Sequence, residues 1–118
     1  MADAFGPDVR LHHRREFLAV DDGGRRVSGR FVTLVGKPNS RPVDRLGIVA
    51  SRRIGGAVER NRAKRMVRDV FRRRVNRTGE GCLDVVAIAR NGIASAAYGV
   101  VEADFLAALR KLRGGARS

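Results

Sequence analysis

The sequence predicts an α+β fold of two layers, with helices laid on one side of a sheet. Three observations carry this. The chain has 118 residues with 43% hydrophobic content, enough for one modest core and little for a second domain. Helical spacing and strand-like runs of β-branched residues both occur. Their order is helix, strands, helix, strand, helix, and stacking the helices together buries all three amphipathic faces.

Residues 1–9, "MADAFGPDV", read as a loose leader. "RLHHRREFLAV" predicts a short helix in which Leu11, Phe17 and Leu18 share a side. "DDGG" is a turn. Arg25 to Val35 reads as two short strands or one kinked at Gly29. "GKPNSRPVD" is a loop, and Arg45 to Ser51 a compact strand. "RRIGGAV" leads through two glycines into a basic helix over 58–75, which "NRTGEG" ends. Leu83 to Arg90 is a strand apolar enough to be covered on both faces. "NGIASAAYG" is a loop or helix start. The following "VVEADFLAALRKL" predicts a helix burying Val101, Phe105, Ala108, Leu109 and Leu112. "RGGARS" is a basic tail. One domain spans 1–118, with its core at about 10–112.

Charge narrows the function. There are 25 Lys and Arg against 12 Asp and Glu, a net +13 and a pI near 11.7. Such a chain attracts polyanions, with nucleic acid the first candidate and an anionic membrane surface the second. Only Lys37, Lys64 and Lys111 are lysines, which leaves 22 arginines. The Arg fork suits phosphate and stacks on bases. One cysteine, Cys82, rules out an intrachain disulfide. No signal-peptide pattern is visible and nothing approaches the ~18 apolar residues of a membrane span. The expectation is a cytoplasmic protein.

The basic helix holds most of the charge. From Ala57 to Arg77 there are nine basic and two acidic residues, a balance of +7. Successive helical residues turn by about 100°. Ala63, Met66, Val67, Val70 and Phe71 then share one arc, the core face. Opposite stand Asn61, Arg65, Arg68 and Arg72, flanked by Arg62, Lys64 and Arg73. Arg60 and Arg74 fall nearer the apolar arc. A charged face is commonly plain solvation when signs are mixed. Here they are hardly mixed, and like charges at these spacings cost an isolated helix tenths of a kcal/mol each. A bound polyanion would relieve that cost.

The order of residues says more. "RLGIVASRR", "IGGAVE" and then Arg60, Asn61, Arg62, Lys64, Arg65, Arg68, Phe71 and Arg72 resemble the signature of the bacterial ribonuclease P protein subunit family. The resemblance extends over roughly Arg10 to Leu112. It implies a central four-stranded sheet with three helices in the order α-β-β-β-α-β-α, with a left-handed βαβ crossover at the basic helix. General rules favour a right-handed one.

The resemblance also implies a role. The family's protein is the small subunit of a ribonucleoprotein whose RNA carries the catalytic centre and removes the 5′ leader of precursor tRNA. By position, Arg52, Arg53, Arg60, Asn61, Arg62, Lys64, Arg65, Arg68 and Arg72 become the face for the catalytic RNA. Phe17, with Arg14, Arg15 and Arg90, becomes the border of a 5′-leader cleft. Phe17 could stack on a leader base or belong to the core. Aromatics that the family can place at the positions of Asp21 and Val35 are missing here, which implies that stacking in that cleft is weaker or comes from elsewhere. Asn61 could bond RNA, a backbone group or a hydrated metal ion, or cap the helix and order its neighbours. The implied partners are ribonuclease P RNA and precursor tRNA, with neither membrane nor DNA. The implied cofactors are that catalytic RNA and Mg²⁺ held mainly by it.

Protein-borne chemistry has little support. His12 and His13 are adjacent with no ligand-spaced partner. Glu59, Asp69, Asp84, Glu102 and Asp104 are scattered and suggest no two-metal cluster. "GRRVSG" and "RIGGAV" lack the P-loop lysine and hydroxyl. A ribosomal or general RNA-binding protein on a related fold is the alternative. A DNA-binding helix is disfavoured because a strand and glycine turn, not a partner helix, precede it.

Overall fold

A computed structural model of the chain describes residues 23–75 and 82–114. The stretch from 25 to 38 forms two strands, β1 (Arg25–Ser28) and β2 (Val32–Pro38). They are followed by β3 (Arg45–Val49), α1 (Ala57–Val70), β4 (Leu83–Ala89) and α2 (Tyr98–Gly114). The expected helix over 10–20 lies outside the described residues, as do Phe17, Arg14, Arg15, Asp21 and both histidines.

The strands form one mixed sheet in the order β1-β2-β4-β3. β1 pairs antiparallel with β2, and β2 antiparallel with β4. β3 and β4 are parallel neighbours, with Arg45 opposite Asp84 and Val49 opposite Ile88. Antiparallel partners can be joined by a short turn, whereas a parallel pair needs a crossover. α1 supplies that crossover.

Alternation along β4 divides its side chains between two faces. Val85, Ala87 and Ala89 join the main core with α1 and α2, while Val86 joins Val35 and Ile88 on the other side. Val85 and Val86 are both buried, as the apolar run predicts for a strand covered twice. The five expected α2 residues are buried, and α2 lies across β1 and β2. A Cβ on Gly36 would stand 2.5 Å from Leu112 Cδ2, so α2 seats directly on the β2 backbone.

The basic helix departs from its expected course at its end. It is α-helical only to Val70, and Phe71–Val75 form a π-helical turn. The wider turn changes the angle between successive residues. Phe71 stays fully buried while Arg72, Arg73 and Arg74 are exposed. Arg74, placed near the apolar arc by regular spacing, instead reaches Glu102 on α2 at 3.4 Å. At the other end, Gly55 adopts φ +142°, and a Cβ there would meet Glu59 Cβ at 2.8 Å. Glycine is thus required on both grounds where the chain turns into α1.

Acids serve the fold. Asp44 is buried and accepts from the Leu83 N–H and from Arg113 Nη2, each at 2.7 Å. Asp84 takes both prongs of Arg45, at 2.8 and 2.7 Å, and the Asn39 amide at 2.8 Å.

Candidate nucleic-acid interface

α1 builds the site by separating two sets of side chains. Ala63, Met66, Val67 and Val70 are buried, with Phe71 just beyond. Asn61, Arg62, Arg65, Arg68 and Arg72 are exposed on the far side. Burial of the apolar arc is what fixes the direction of the basic one.

The exposed residues are not equivalent. Among the described residues, Arg65, Arg68, Lys64 and Asn61 make no hydrogen bond or ion pair through their side chains. Arg62 is anchored: its Nε donates to the Ala94 carbonyl at 2.8 Å, across to the short 3₁₀ turn Ile93–Ser95. Its Nη groups remain as donors on the outer edge of the fork. Arg60 is half-buried, and its Nε turns back to the Gly56 carbonyl at 3.4 Å. Arg72 pairs with Asp69 one turn earlier. Arg65 and Arg68 therefore carry the uncompensated charge at the centre of the row.

Asn61 does not cap the helix. Gly56 holds the N-cap position and Asn61 is the fifth helical residue, beyond the first-turn N–H groups that a cap satisfies. The capping alternative is therefore set aside.

Asp69 and Tyr98 were not singled out from the sequence as a pair. The Tyr98 hydroxyl donates to Asp69 Oδ2 at 2.7 Å, and Arg73 Nη1 lies 3.6 Å from the same oxygen. The Tyr98 hydrogen bond, aided by Arg72 and Arg73 and opposed by partial burial, holds the Asp69 carboxyl below its ordinary value. Burial, and then the hydrogen bond to Asp69, raise the Tyr98 phenol above its own. The i,i+3 and i,i+4 spacings of Arg72 and Arg73 from Asp69 were a readable signal, but Tyr98 comes from another element.

A second feature lies at the strand ends. Ser51, Arg53, Ile54, Ile88, Ala89, Arg90 and Asn91 line an open cavity of about 310 Å³. Arg52 and Arg53 stand exposed on the 3₁₀ turn Arg52–Ile54, whose start is capped by Ser51 Oγ accepting from the Arg53 N–H at 3.3 Å. Arg53, expected on one surface, and Arg90, expected on another, thus border the same cavity. Ser51 and Asn91 join them as neutral polar groups that the sequence reading passed over, although each lies next to a basic residue it had marked. Val35 is buried beside Val86 and Ile88 on that side of the sheet. Among the described residues, no group of three or more His, Cys, Asp or Glu is placed to hold a metal ion.

Comparison with known proteins agrees with this geometry. Residues 5–113 match the protein family described as Ribonuclease P. The ribonuclease P protein component of Syntrophomonas wolfei is 33% identical over 103 residues, covering 87% of this chain and 86% of that protein. That of Desulforapulum autotrophicum is 41% identical over 93 residues, covering 78% of each. Among solved structures, the RNase P protein from Thermotoga maritima superposes with a TM-score of 0.72 at 29% identity, over 88% of this chain and 94% of that one. The Staphylococcus aureus RNase P protein reaches a TM-score of 0.74 at 24% identity, over 86% and 93%, which speaks for the fold. A match along nearly the whole length, running through the basic helix and the strand that leads into it, means that this chain belongs to the ribonuclease P protein family.

Proposed function

We propose that this chain is the protein subunit of a ribonuclease P holoenzyme, a tRNA 5′-end endoribonuclease. It binds the catalytic RNA through α1 and holds the 5′ leader of precursor tRNA in a cleft bordered by Phe17, Arg14, Arg15 and Arg90. The observation that carries this is the outer row of α1, where Arg65 and Arg68 face solvent without an acidic partner among the described residues. Neutralising phosphates with such a row releases counterions and gives salt-dependent affinity. Arg52, Arg53, Arg60, Asn61, Arg62, Lys64 and Arg72 extend that surface. Arg62 enters it already oriented by Ala94.

In this reading the leader runs past Phe17, Arg14, Arg15 and Arg90, and the cavity shared by Arg53 and Arg90 lies where the two RNA surfaces meet. The RNA supplies the catalytic centre and holds the Mg²⁺ that activates water. The chain's residues bind and orient. No helix among the described residues is long and apolar enough to cross a membrane. We place the complex in the cytoplasm, assign it no DNA or membrane partner, and take the β3–α1–β4 crossover as left-handed by family likeness.

The test is direct. Adding the purified chain to the catalytic RNA of a bacterial ribonuclease P at low Mg²⁺ is expected to stimulate cleavage of precursor tRNA. No stimulation with a cognate RNA would sink the proposal. Removing the 5′ leader is expected to weaken the holoenzyme–precursor complex, and equal affinities would remove the leader role.

A further inference from the structure

Asp104 lies on the first half of α2. Its carboxylate accepts three consecutive backbone N–H groups from the turn between β1 and β2. Oδ1 takes Arg30 at 2.8 Å, and Oδ2 takes Phe31 at 2.8 Å and Val32 at 3.2 Å. A Cβ on Gly29 would stand 2.7 Å from Oδ2 and 2.8 Å from Oδ1. The carboxylate therefore sits where only a missing side chain leaves room.

The same turn is also held by Arg90. The Arg90 N–H donates to the Phe31 carbonyl at 2.9 Å, and the Arg90 Nη1 donates to the Gly29 carbonyl. One guanidinium edge is thereby fixed to the turn, while the residue borders the strand-end cavity with Arg53. The connection runs from Asp104 through the turn backbone to the aim of Arg90.

We propose that Asp104 is a positioning residue for precursor RNA: it locks the Gly29–Val32 turn, and the turn orients Arg90 toward the strand-end cavity. This deepens the reading of Arg90 as a leader contact and rests on it. The sign of a substitution separates this role from a simple electrostatic one. A carboxylate near an anion-binding cation weakens anion binding by its charge alone. Asp104→Asn would then tighten RNA binding if charge were the whole effect. If Asp104 acts by holding the turn, the same change loosens binding, because an amide offers one acceptor oxygen where the carboxylate offers two.

The experiment uses the reconstituted holoenzyme and measures affinity for precursor tRNA with a 5′ leader and for the same tRNA without one. The variants are Arg90→Ala, Asp104→Asn, Gly29→Ala and the Arg90→Ala/Asp104→Asn double. Gly29→Ala crowds the carboxylate from the opposite side and changes no charge, so it carries the test should Asp104→Asn fail to fold. Arg90→Ala is expected to lower the affinity for the leader-bearing substrate roughly three- to tenfold, as for loss of one charged contact. Asp104→Asn and Gly29→Ala are expected to lower it comparably, to leave the leaderless substrate unaffected, and to add nothing once Arg90 is gone. If Arg90→Ala costs leader affinity while the other two do not, the positioning role is wrong. It is equally wrong if Asp104→Asn tightens binding, or if its effect adds in full to that of Arg90→Ala. If Arg90→Ala itself changes nothing, the leader reading of Arg90 falls and this inference falls with it.

Discussion

The hydroxyl of Tyr98 donates to Asp69 Oδ2 at 2.7 Å and so ties the first turn of α2 to the last turn of α1. Asp69 also takes Arg72, and one carboxylate thus serves both the packing of two helices and the end of the basic row. Replacing Tyr98 by Phe keeps the ring and removes the bond. The expected loss is about 1.5–3 kcal/mol, as for a hydrogen bond to a charged group, measured by denaturant unfolding.

The same contact predicts a pH dependence. The Asp69 carboxyl is lowered in the folded chain from its ordinary 3.8. A lowered carboxyl contributes stability that is present above the unfolded value and is lost as pH falls through the folded one. Wild-type protein is therefore expected to lose this contribution below about pH 4, and Asp69→Asn to lack it at every pH. Thermal melts of both from pH 3 to 6 would show it as converging curves. The Tyr98 phenol is raised above 10.0, so its absorbance titration should begin higher than that of a free tyrosine and move down in Asp69→Asn.

Arg65→Ala and Arg68→Ala should each lower the slope of log affinity against log salt for the catalytic RNA by roughly 0.7–0.9, one phosphate contact's share. Arg72→Ala should change it less, because Arg72 must first leave Asp69. Filter binding across a salt series measures this. Unchanged slopes for Arg65 and Arg68 would mean that they face only solvent.

Asn61→Ala tests the centre of the motif. The side chain is exposed and makes no hydrogen bond among the described residues. Stability should stay within about 0.5 kcal/mol of wild type, while affinity for the catalytic RNA falls. A stability loss above that range would return Asn61 to a structural role.

Arg113→Ala leaves the buried Asp44 carboxylate with the Leu83 N–H as its remaining partner among the described residues. The carboxylate side chain is 0% exposed and Arg113 is 22% exposed. Breaking a buried pair commonly costs about 3–5 kcal/mol, and the partial exposure of Arg113 puts the expected loss at the lower end. Urea unfolding measures it, and a loss under about 1 kcal/mol would show that the pair is dispensable.

Much of this was legible in the sequence because period and spacing are local. The arc of Ala63, Val67 and Val70, the five buried residues of α2 and the run of β4 can each be read within one element. The basic row opposite Val67 followed from the same geometry. What was not legible depends on elements meeting. No spacing rule joins Tyr98 to Asp69, Arg62 to Ala94, or Asp104 to the turn before β2. The π turn at Phe71 was missed because a wheel assumes constant rotation, and it redirected Arg74 to Glu102. Gly36, expected to open a loop, instead lies inside β2 because Leu112 of α2 packs against its backbone.

Of the six acids among the described residues, Asp44, Asp69, Asp84, Glu102 and Asp104 are all engaged as struts of the fold. The cations of the outer row of α1 are almost all guanidinium groups, planar forks of donors that match phosphate oxygens. With five acids held as struts, Arg65 and Arg68 draw their counter-charge from mobile ions in solution. Ionic strength should therefore be the control on their grip on a polyanion.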